Sequence, residues 1–177
     1  GVTNVFDPRL VFDAQAERWI FVAVANGQST GSLILVAASQ TSDPTGDWFG
    51  LTLPGDSSKV HWADFPIVGL NPKWLVVSAA LYTVGTNKFG LTRVNVLDKN
   101  QVYSSGAVAV SAKTFDDKSA PVLAPSLDYD HKLATMYFVN AVHGNSSGKG
   151  FLRLSTLTGN LGAEVYNSGV ASPAISS

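Results

Sequence analysis

Short apolar runs separated by polar loops dominate the chain. Val, Ile, Leu, Phe and Tyr recur in these runs between clusters of Gly, Asn, Asp and Ser, which is the pattern typical of β-strands. Strands are predicted over residues 19–25, 33–38, 74–80, 91–96, 133–140 and 151–155. No stretch keeps the apolar spacing of an amphipathic helix with caps at both ends, so little helix is expected. The pattern therefore predicts an all-β protein.

The strand pattern occurs three times along the chain. The three copies begin with DPRLVFD, DFPIVGL and APSLDYD, whose prolines Pro8, Pro66 and Pro125 are 58 and 59 residues apart. A second apolar strand and a polar loop follow in each copy, and a third strand opens just after a glycine, at positions 31, 90 and 150. The fourth segments read DWFGLTL, QVYSSGAVAV and EVYNSGVA. One domain over 1–177 is therefore predicted to hold repeats at about 5–55, 62–112 and 122–173.

Four short strands per repeat predict the blades of a β-propeller. A blade packs against neighbours on both faces, which explains why RWIFVAVA and KWLVVSAA are apolar nearly throughout. A β-sandwich is the alternative, but the shared proline, loop and glycine favour a propeller segment of three four-stranded antiparallel blades. Because single-chain propellers typically have 4–8 blades, another chain or copy is expected to complete the ring. Either two copies form a six-bladed homo-oligomer, or a complementary chain supplies the missing blades.

The first two repeats resemble secreted bacterial β-propeller repeat proteins, mostly of unassigned function. The resemblance rests on DPRLVFDAQAERW, SQTSDPTGDW and WADFPIVGL, and it covers roughly residues 7–80. It implies the fold, and it implies little about chemistry because propellers have many unrelated functions. The segment 41–48 also resembles the Asp-box turn of sialidase-type propellers, which implies a structural turn. The resemblance and the low charge lead us to expect an extracellular or cell-surface protein of bacterial type.

Composition excludes several classes of function. A net charge of −1 argues against a nucleic-acid partner, which requires a basic face. The absence of cysteine excludes disulfides and thiolate metal sites. No apolar run approaches the roughly 20 residues of a membrane span. The three histidines do not form an HxH or HExxH spacing, so neither a metal nor a cofactor is expected.

Asp7 and Asp64 lie one and two residues before their repeat prolines. Similar segments in five-bladed glycoside hydrolases of the arabinanase and xylosidase type place carboxylates around the channel mouth, so the similarity implies both as catalytic candidates. Two carboxylates about 6.5–9.5 Å apart would suit an inverting mechanism. The third repeat departs from that pattern, because Ser126 follows its proline and no acidic residue is present there. The alternative is that both aspartates cap a turn by accepting backbone hydrogen bonds.

A ligand site is predicted where the loops 26–31, 82–89 and 143–149 meet at one end of the domain. Aromatic faces beside polar groups recognise sugars, so a glycan is the expected ligand. The candidate ligand-binding residues are Asn26, His61, Trp62, Asp64, Tyr82 and His143. Three alternatives stay open: ordinary solvated loops, a glycoside hydrolase, and a structural building block of an oligomeric surface assembly.

Arg93 and Arg153 each follow a repeat glycine by three residues. Matching positions predict a shared structural role, such as pairing with Asp98 or with a neighbouring carboxylate. Asp128 and Asp130 are spaced to point to one face and are candidates for calcium, but no third oxygen donor is defined by the sequence.

Overall fold

The computed structural model describes residues 1–104, 110–146, 149–169 and 175–176, and for 142–146, 149 and 175–176 it describes the backbone. Sheet 1 contains β1 (Phe6–Asp13), β2 (Arg18–Ala25), β3 (Leu33–Ser39) and β4 (Trp48–Pro54). Sheet 2 contains β5 (His61–Leu70), β6 (Trp74–Thr83), β7 (Phe89–Asp98) and β8 (Lys113–Asp117). Sheet 3 contains β9 (Ala124–Pro125), β10 (Met136–Ser146), β11 (Lys149–Thr158) and β12 (Val165–Asn167), and β13 (Ile175–Ser176) also pairs with β11. The prediction of an all-β protein with three four-stranded antiparallel sheets is confirmed.

The three sheets stack face to face, with sheet 2 in the middle. Strand β6 shows this best, because Leu75 and Val77 pack into the core shared with sheet 1, whereas Trp74 and Val76 pack into the core shared with sheet 3. A strand that is buried on both faces has no polar side, which accounts for its uniformly apolar sequence. The first strands of neighbouring sheets lie side by side, since β5 contacts both β1 and β9. The described residues do not form a closed ring.

The fourth strand of the second repeat lies further along the chain than predicted. The segment 101–110 was expected to be this strand, but α1 (Lys99–Tyr103) covers its start and β8 follows only at Lys113. The carboxylate of Asp98 accepts a hydrogen bond from the backbone N–H of Asn100 and caps this single helical segment. Val102 is fully buried, so its apolar character reflects core packing instead of a strand. Among the described residues, no helix has the length and apolar character required to cross a membrane.

An aspartate after sheet 1 is bound by an arginine of sheet 2. Asp56 accepts hydrogen bonds from the backbone and the hydroxyl of Ser58. Arg93, on the third strand of sheet 2, places its Nη1 3.1 Å from Asp56 Oδ1, and it also pairs with Asp116 across the strand. Asp98 is not its partner. The arginine therefore joins two sheets that are separate in sequence.

The same unit joins sheet 2 to sheet 3. Asp117, at the end of sheet 2, accepts hydrogen bonds from the backbone and the hydroxyl of Ser119. Arg153, on the third strand of sheet 3, places its Nη2 3.0 Å from Asp117 Oδ1. Tyr166 and Ser168 also donate to this carboxylate. We call the unit the inter-sheet clamp: an Asp-x-Ser sequence that begins at the end of the fourth strand of one sheet or just after it, bound by an arginine on the third strand of the next.

Candidate ligand site at the first-strand ends

Two matched bulges shape the first strands of sheets 1 and 2. The pairing of β1 with β2 shifts between Phe6 and Arg9, and the pairing of β5 with β6 shifts between Asp64 and Ile67. The residues before the two repeat prolines, Asp7 and Phe65, have positive φ angles of 51° and 49°. Proline cannot donate a ladder hydrogen bond, so each strand bends at this point on its free edge. Asp7 of β1 and Asp64 of β5 lie at these two bends, on strands that are neighbours.

The charges of Asp7 and Asp64 interact there. Burial raises the pKa of Asp64, and the charge and hydrogen-bonding contact of Asp7 raise it further, although the backbone N–H of Phe65 donates to Asp64 and opposes the rise. Among the described side chains, no lysine, arginine or histidine forms an ion pair with either carboxylate. Arg9, two residues after Asp7, lies over the ring of Phe65 with its guanidinium carbon 5.0 Å from the ring centre. The pair therefore carries uncompensated negative charge when both groups ionise.

Aromatic side chains support the pair from beneath. Trp62 is only 7% exposed, its ring centre lies 5.5 Å from that of Tyr82, and its indole N–H donates to Asn87 Oδ1 at 3.0 Å. Burial and the nearby charge of Asp64 raise the pKa of Tyr82. Trp62 thus presents an edge, not an open ring face, to a ligand.

The loop between β2 and β3 forms the opposite wall. A Cβ atom at position 27 would lie 2.8 Å from the ring of Phe6 and 3.6 Å from that of Trp62. A side chain in place of Gly27 would therefore crowd the site. Together these groups line an open cavity of about 280 Å³. Its lining residues are Asn4, Phe6, Gly27, Gln28, Trp62 and Asp64. We call this cavity, with Asp7 at its edge, the Asp7–Asp64 site.

Three other predicted ligand residues have different positions. Asn26 adjoins the site, but its side chain binds the N-terminal segment and the carbonyl of Gly31. His61 points away from Trp62, as neighbours on a strand do, and its Nδ1 lies 2.8 Å from Asp56 Oδ2 beside the first inter-sheet clamp. The side chain of His143 lies outside the described residues. The structure therefore brings together Trp62, Asp64 and Tyr82 of the predicted ligand residues, next to Asp7, which was predicted as a catalytic candidate.

The glycoside-hydrolase alternative for Asp7 and Asp64 stays a prediction, and it depends on the distance between the two carboxylates. Retaining enzymes hold their carboxylates about 5–5.5 Å apart, and inverting enzymes hold them about 6.5–9.5 Å apart to admit a water molecule. The two carboxylates are near enough for the charge of Asp7 to raise the pKa of Asp64. What the pair can do is accept hydrogen bonds or share a proton.

Other carboxylates singled out in the sequence hold turns. Asp43 accepts hydrogen bonds from the backbone and hydroxyl of Thr45, which makes the 41–48 segment a structural turn. Asp128 accepts the backbone N–H of Leu133, whereas Asp130 is exposed and pairs with Lys132. Across the described part of the chain, no three histidine or acidic side chains are grouped so as to hold a metal ion.

A second polar cluster, which the sequence analysis did not single out, lies at the far end of β1. Asp13 is buried and binds the Lys99 amine at 3.0 Å, the Tyr103 hydroxyl at 2.9 Å and His131 Nε2 at 2.9 Å. Burial would raise the pKa of Asp13, but its hydrogen bonds from Lys99 and Tyr103 outweigh burial and lower it. Lys99 and Tyr103 follow β7 of sheet 2, and His131 precedes β10 of sheet 3, so the cluster ties all three sheets together. Each of these polar side chains has a hydrogen-bond or ion-pair partner within the cluster.

Comparison with known proteins adds no relative. No protein-family model, curated protein or solved structure matches this chain. Phe6, Asn4 and Gln28 are site residues that motif comparison missed. Of these three, only Phe6 could have been found from the repeat. It is the last paired residue before the bulge of β1, as Asp64 is before the bulge of β5. Function is therefore inferred from chemistry and geometry.

Proposed function

We infer that the chain is a β-propeller-type module that binds a polyhydroxylated ligand, of the saccharide class, at the Asp7–Asp64 site. Face-to-face stacking of the sheets, with their first strands adjacent, supports interpreting them as three blades. The observation that carries the ligand assignment is the open cavity lined by Asp64, a carboxylate that forms no ion pair among the described side chains and whose charge interacts with that of Asp7. Groups with perturbed pKa values in a cleft are typical of functional sites.

Hydroxyl groups are the ligand chemistry that fits this pair. Two ionised carboxylates are pure hydrogen-bond acceptors, so neighbouring hydroxyls can donate one bond to each and offset their repulsion. Phe6 and the edge of Trp62 supply apolar surface for the carbon-bound hydrogens of a sugar ring. The positive φ angle of Asp7 is a strained conformation for a residue with a side chain, and such strain clusters at ligand sites.

A calcium ion fits the site less well. Calcium takes 6–8 oxygen ligands, and the described residues around the cavity supply only two carboxylates and the amides of Asn4 and Gln28. A neutral ligand with several hydroxyls needs only the acceptors that are present. A secreted or cell-surface location, as the family resemblance implies, would bring such ligands to the protein.

A glycan array screened with the 177-residue chain tests the proposal, followed by calorimetry on the sugars retained. Asp64→Asn keeps the size of the side chain but removes its charge, and hydrogen bonds to charged groups contribute about 1.5–3 kcal/mol. We therefore expect at least a tenfold loss of affinity. The matched control is Asp130→Asn, which changes an exposed aspartate outside the cavity and should leave binding unchanged.

Two results would overturn the assignment. One is the absence of any retained glycan in the wild-type chain. The other is equal binding by the wild-type protein and Asp64→Asn, because a ligand that ignores the carboxylate pair binds elsewhere.

A further inference from the structure

The outer face of sheet 1 is apolar and uncharged. Side chains opposite the shared core alternate along the strands, and Leu10, Phe21, Leu35 and Trp48 lie on this face and line shallow cavities there. Leu10 is 56% exposed. The face is open around Leu10, and its strand pattern matches that of the buried faces inside the stack.

The outer face of sheet 3 has the same character. Tyr137 and Val139 on β10, Leu152 and Leu154 on β11, and Val165 on β12 are all exposed large apolar side chains. Their strand neighbours Phe138 and Leu157 point the other way into the core with sheet 2. Large contiguous apolar surfaces of this kind mark interaction sites.

Both outer faces lack their half of the inter-sheet clamp. Strand β3, the third strand of sheet 1, reads LILVAAS and has no arginine to bind a preceding sheet. Residues 165–177 contain no acidic residue, so the fourth strand of sheet 3 has no aspartate at the position that Asp117 holds at the end of sheet 2. The two clamps that the chain does form join sheet 1 to sheet 2 and sheet 2 to sheet 3.

We propose that the outer face of sheet 3 in one copy packs on the outer face of sheet 1 in a second copy. A partner blade that brought a clamp aspartate to sheet 1, or a clamp arginine to sheet 3, would have that charge buried without a counter-ion, which is strongly unfavourable. The two outer faces of this chain match each other in this respect, because neither brings a charge. The proposal rests on the blade arrangement and is independent of the ligand.

The available area suits a closed dimer. Four strands about 4.8 Å apart, with about six residues each at about 3.3 Å, give a face of about 400 Å². A two-fold axis makes the two face-to-face contacts equivalent, so two interfaces bury about 1,600 Å² in total, which is the size of a standard stable interface. Six blades fall within the 4–8 of known rings.

Light scattering coupled to size-exclusion chromatography tests the proposal on the 177-residue chain at micromolar concentration. The expected mass of the wild-type protein is twice 18.6 kDa. Leu10→Lys and Leu154→Lys each place a charge on one outer face, and each should reduce the mass to 18.6 kDa. Val60→Lys is the matched control, because Val60 is 49% exposed in the loop between sheets 1 and 2, and the dimer should persist.

Thermal melting of each variant checks that it remains folded, as expected for changes at exposed positions. A monomeric wild-type chain overturns the proposal and assigns the faces to a different partner. A dimer that responds to only one of the two lysine variants also overturns it, because a single face would then pair with itself. Unlimited polymerisation overturns the closed ring.

Discussion

The second inter-sheet clamp allows a sharp test of what holds the sheets together. Asp117 and Asp116 are neighbours on β8 with opposite orientations. The side chain of Asp117 is 3% exposed and binds Arg153, whereas that of Asp116 is 41% exposed and binds Arg93. Replacing each by asparagine removes one charge and keeps the shape. The pair of variants therefore separates the effect of burial from the effect of charge.

The expected difference follows from the environment of each arginine. Removing one partner of a buried ion pair costs about 3–5 kcal/mol, because the other charge remains buried and unpaired. Arg153 keeps a hydrogen bond to Asn140 Oδ1, so Asp117→Asn should lie at the lower end, about 3 kcal/mol. Exposed ion pairs contribute about 0–1 kcal/mol, and this sets the expectation for Asp116→Asn. At about 2–4 °C per kcal/mol, the melting temperature of Asp117→Asn should fall by roughly 6–12 °C.

Urea unfolding of both variants gives the measurement, and a double-mutant cycle with Arg153→Met gives the coupling. Residues in one buried network show coupling energies of about 0.5–3 kcal/mol, so the double variant should be more stable than the two single losses predict. Equal destabilisation by Asp117→Asn and Asp116→Asn would refute the clamp as a stabilising unit. Strict additivity in the cycle would refute the direct contact between Asp117 and Arg153.

Three further predictions concern the sheets and the site. Gly69→Ala places a methyl group 2.6 Å from Pro125 Cβ of sheet 3, so overpacking should lower the free energy of unfolding in urea by about 1–3 kcal/mol. The control is Gly50→Ala, whose methyl group would lie 3.9 Å from its nearest neighbour atom and should change the stability little. Asp64→Asn should stabilise the protein at pH 7, because the raised folded pKa of Asp64 means that its ionised form is disfavoured in the folded state. The gain should vanish below about pH 4, where Asp64 is protonated in both the folded and the unfolded state. Asp13 and Asp117 have lowered pKa values in the folded state, so the stability they contribute is complete above about pH 4 and is lost as the pH falls further, which a melting series in acid would show.

Each of these has a contrary outcome. Similar losses in the two glycine variants would mean that sheets 2 and 3 adjust freely where Gly69 meets sheet 3. A destabilised Asp64→Asn at pH 7 would mean that the carboxylate pair is favourable in the free protein. A melting temperature that stays constant between pH 6 and pH 3 would contradict the lowered pKa values.

Local sequence determined most of the strands and their repetition. The β-branched and apolar runs in β2 and β6 specify strands because such residues pack well on a pleated surface. Prolines 8 and 66 mark the bulged first strands, since proline is tolerated only where a ladder donor is not required. The sequence did not determine whether the segment 99–103 forms a strand or a helix, because an apolar Val102 can pack into the core from either one. The Asp98 cap favours the helical turn that the structure shows.

Only the tertiary structure decided which polar groups meet. Asp7 and Asp64 are far apart in sequence, and their charges interact because neighbouring first strands with matched bulges bring them together. His61 and Trp62 are adjacent in sequence but point to opposite faces, so one joins the inter-sheet clamp region and the other the ligand site. Arg153 finds Asp117 across a sheet boundary. Hydrophobic periodicity specifies which face of a strand is buried. It does not specify which carboxylate or cation the neighbouring sheet brings to that face, because this depends on how the sheets stack.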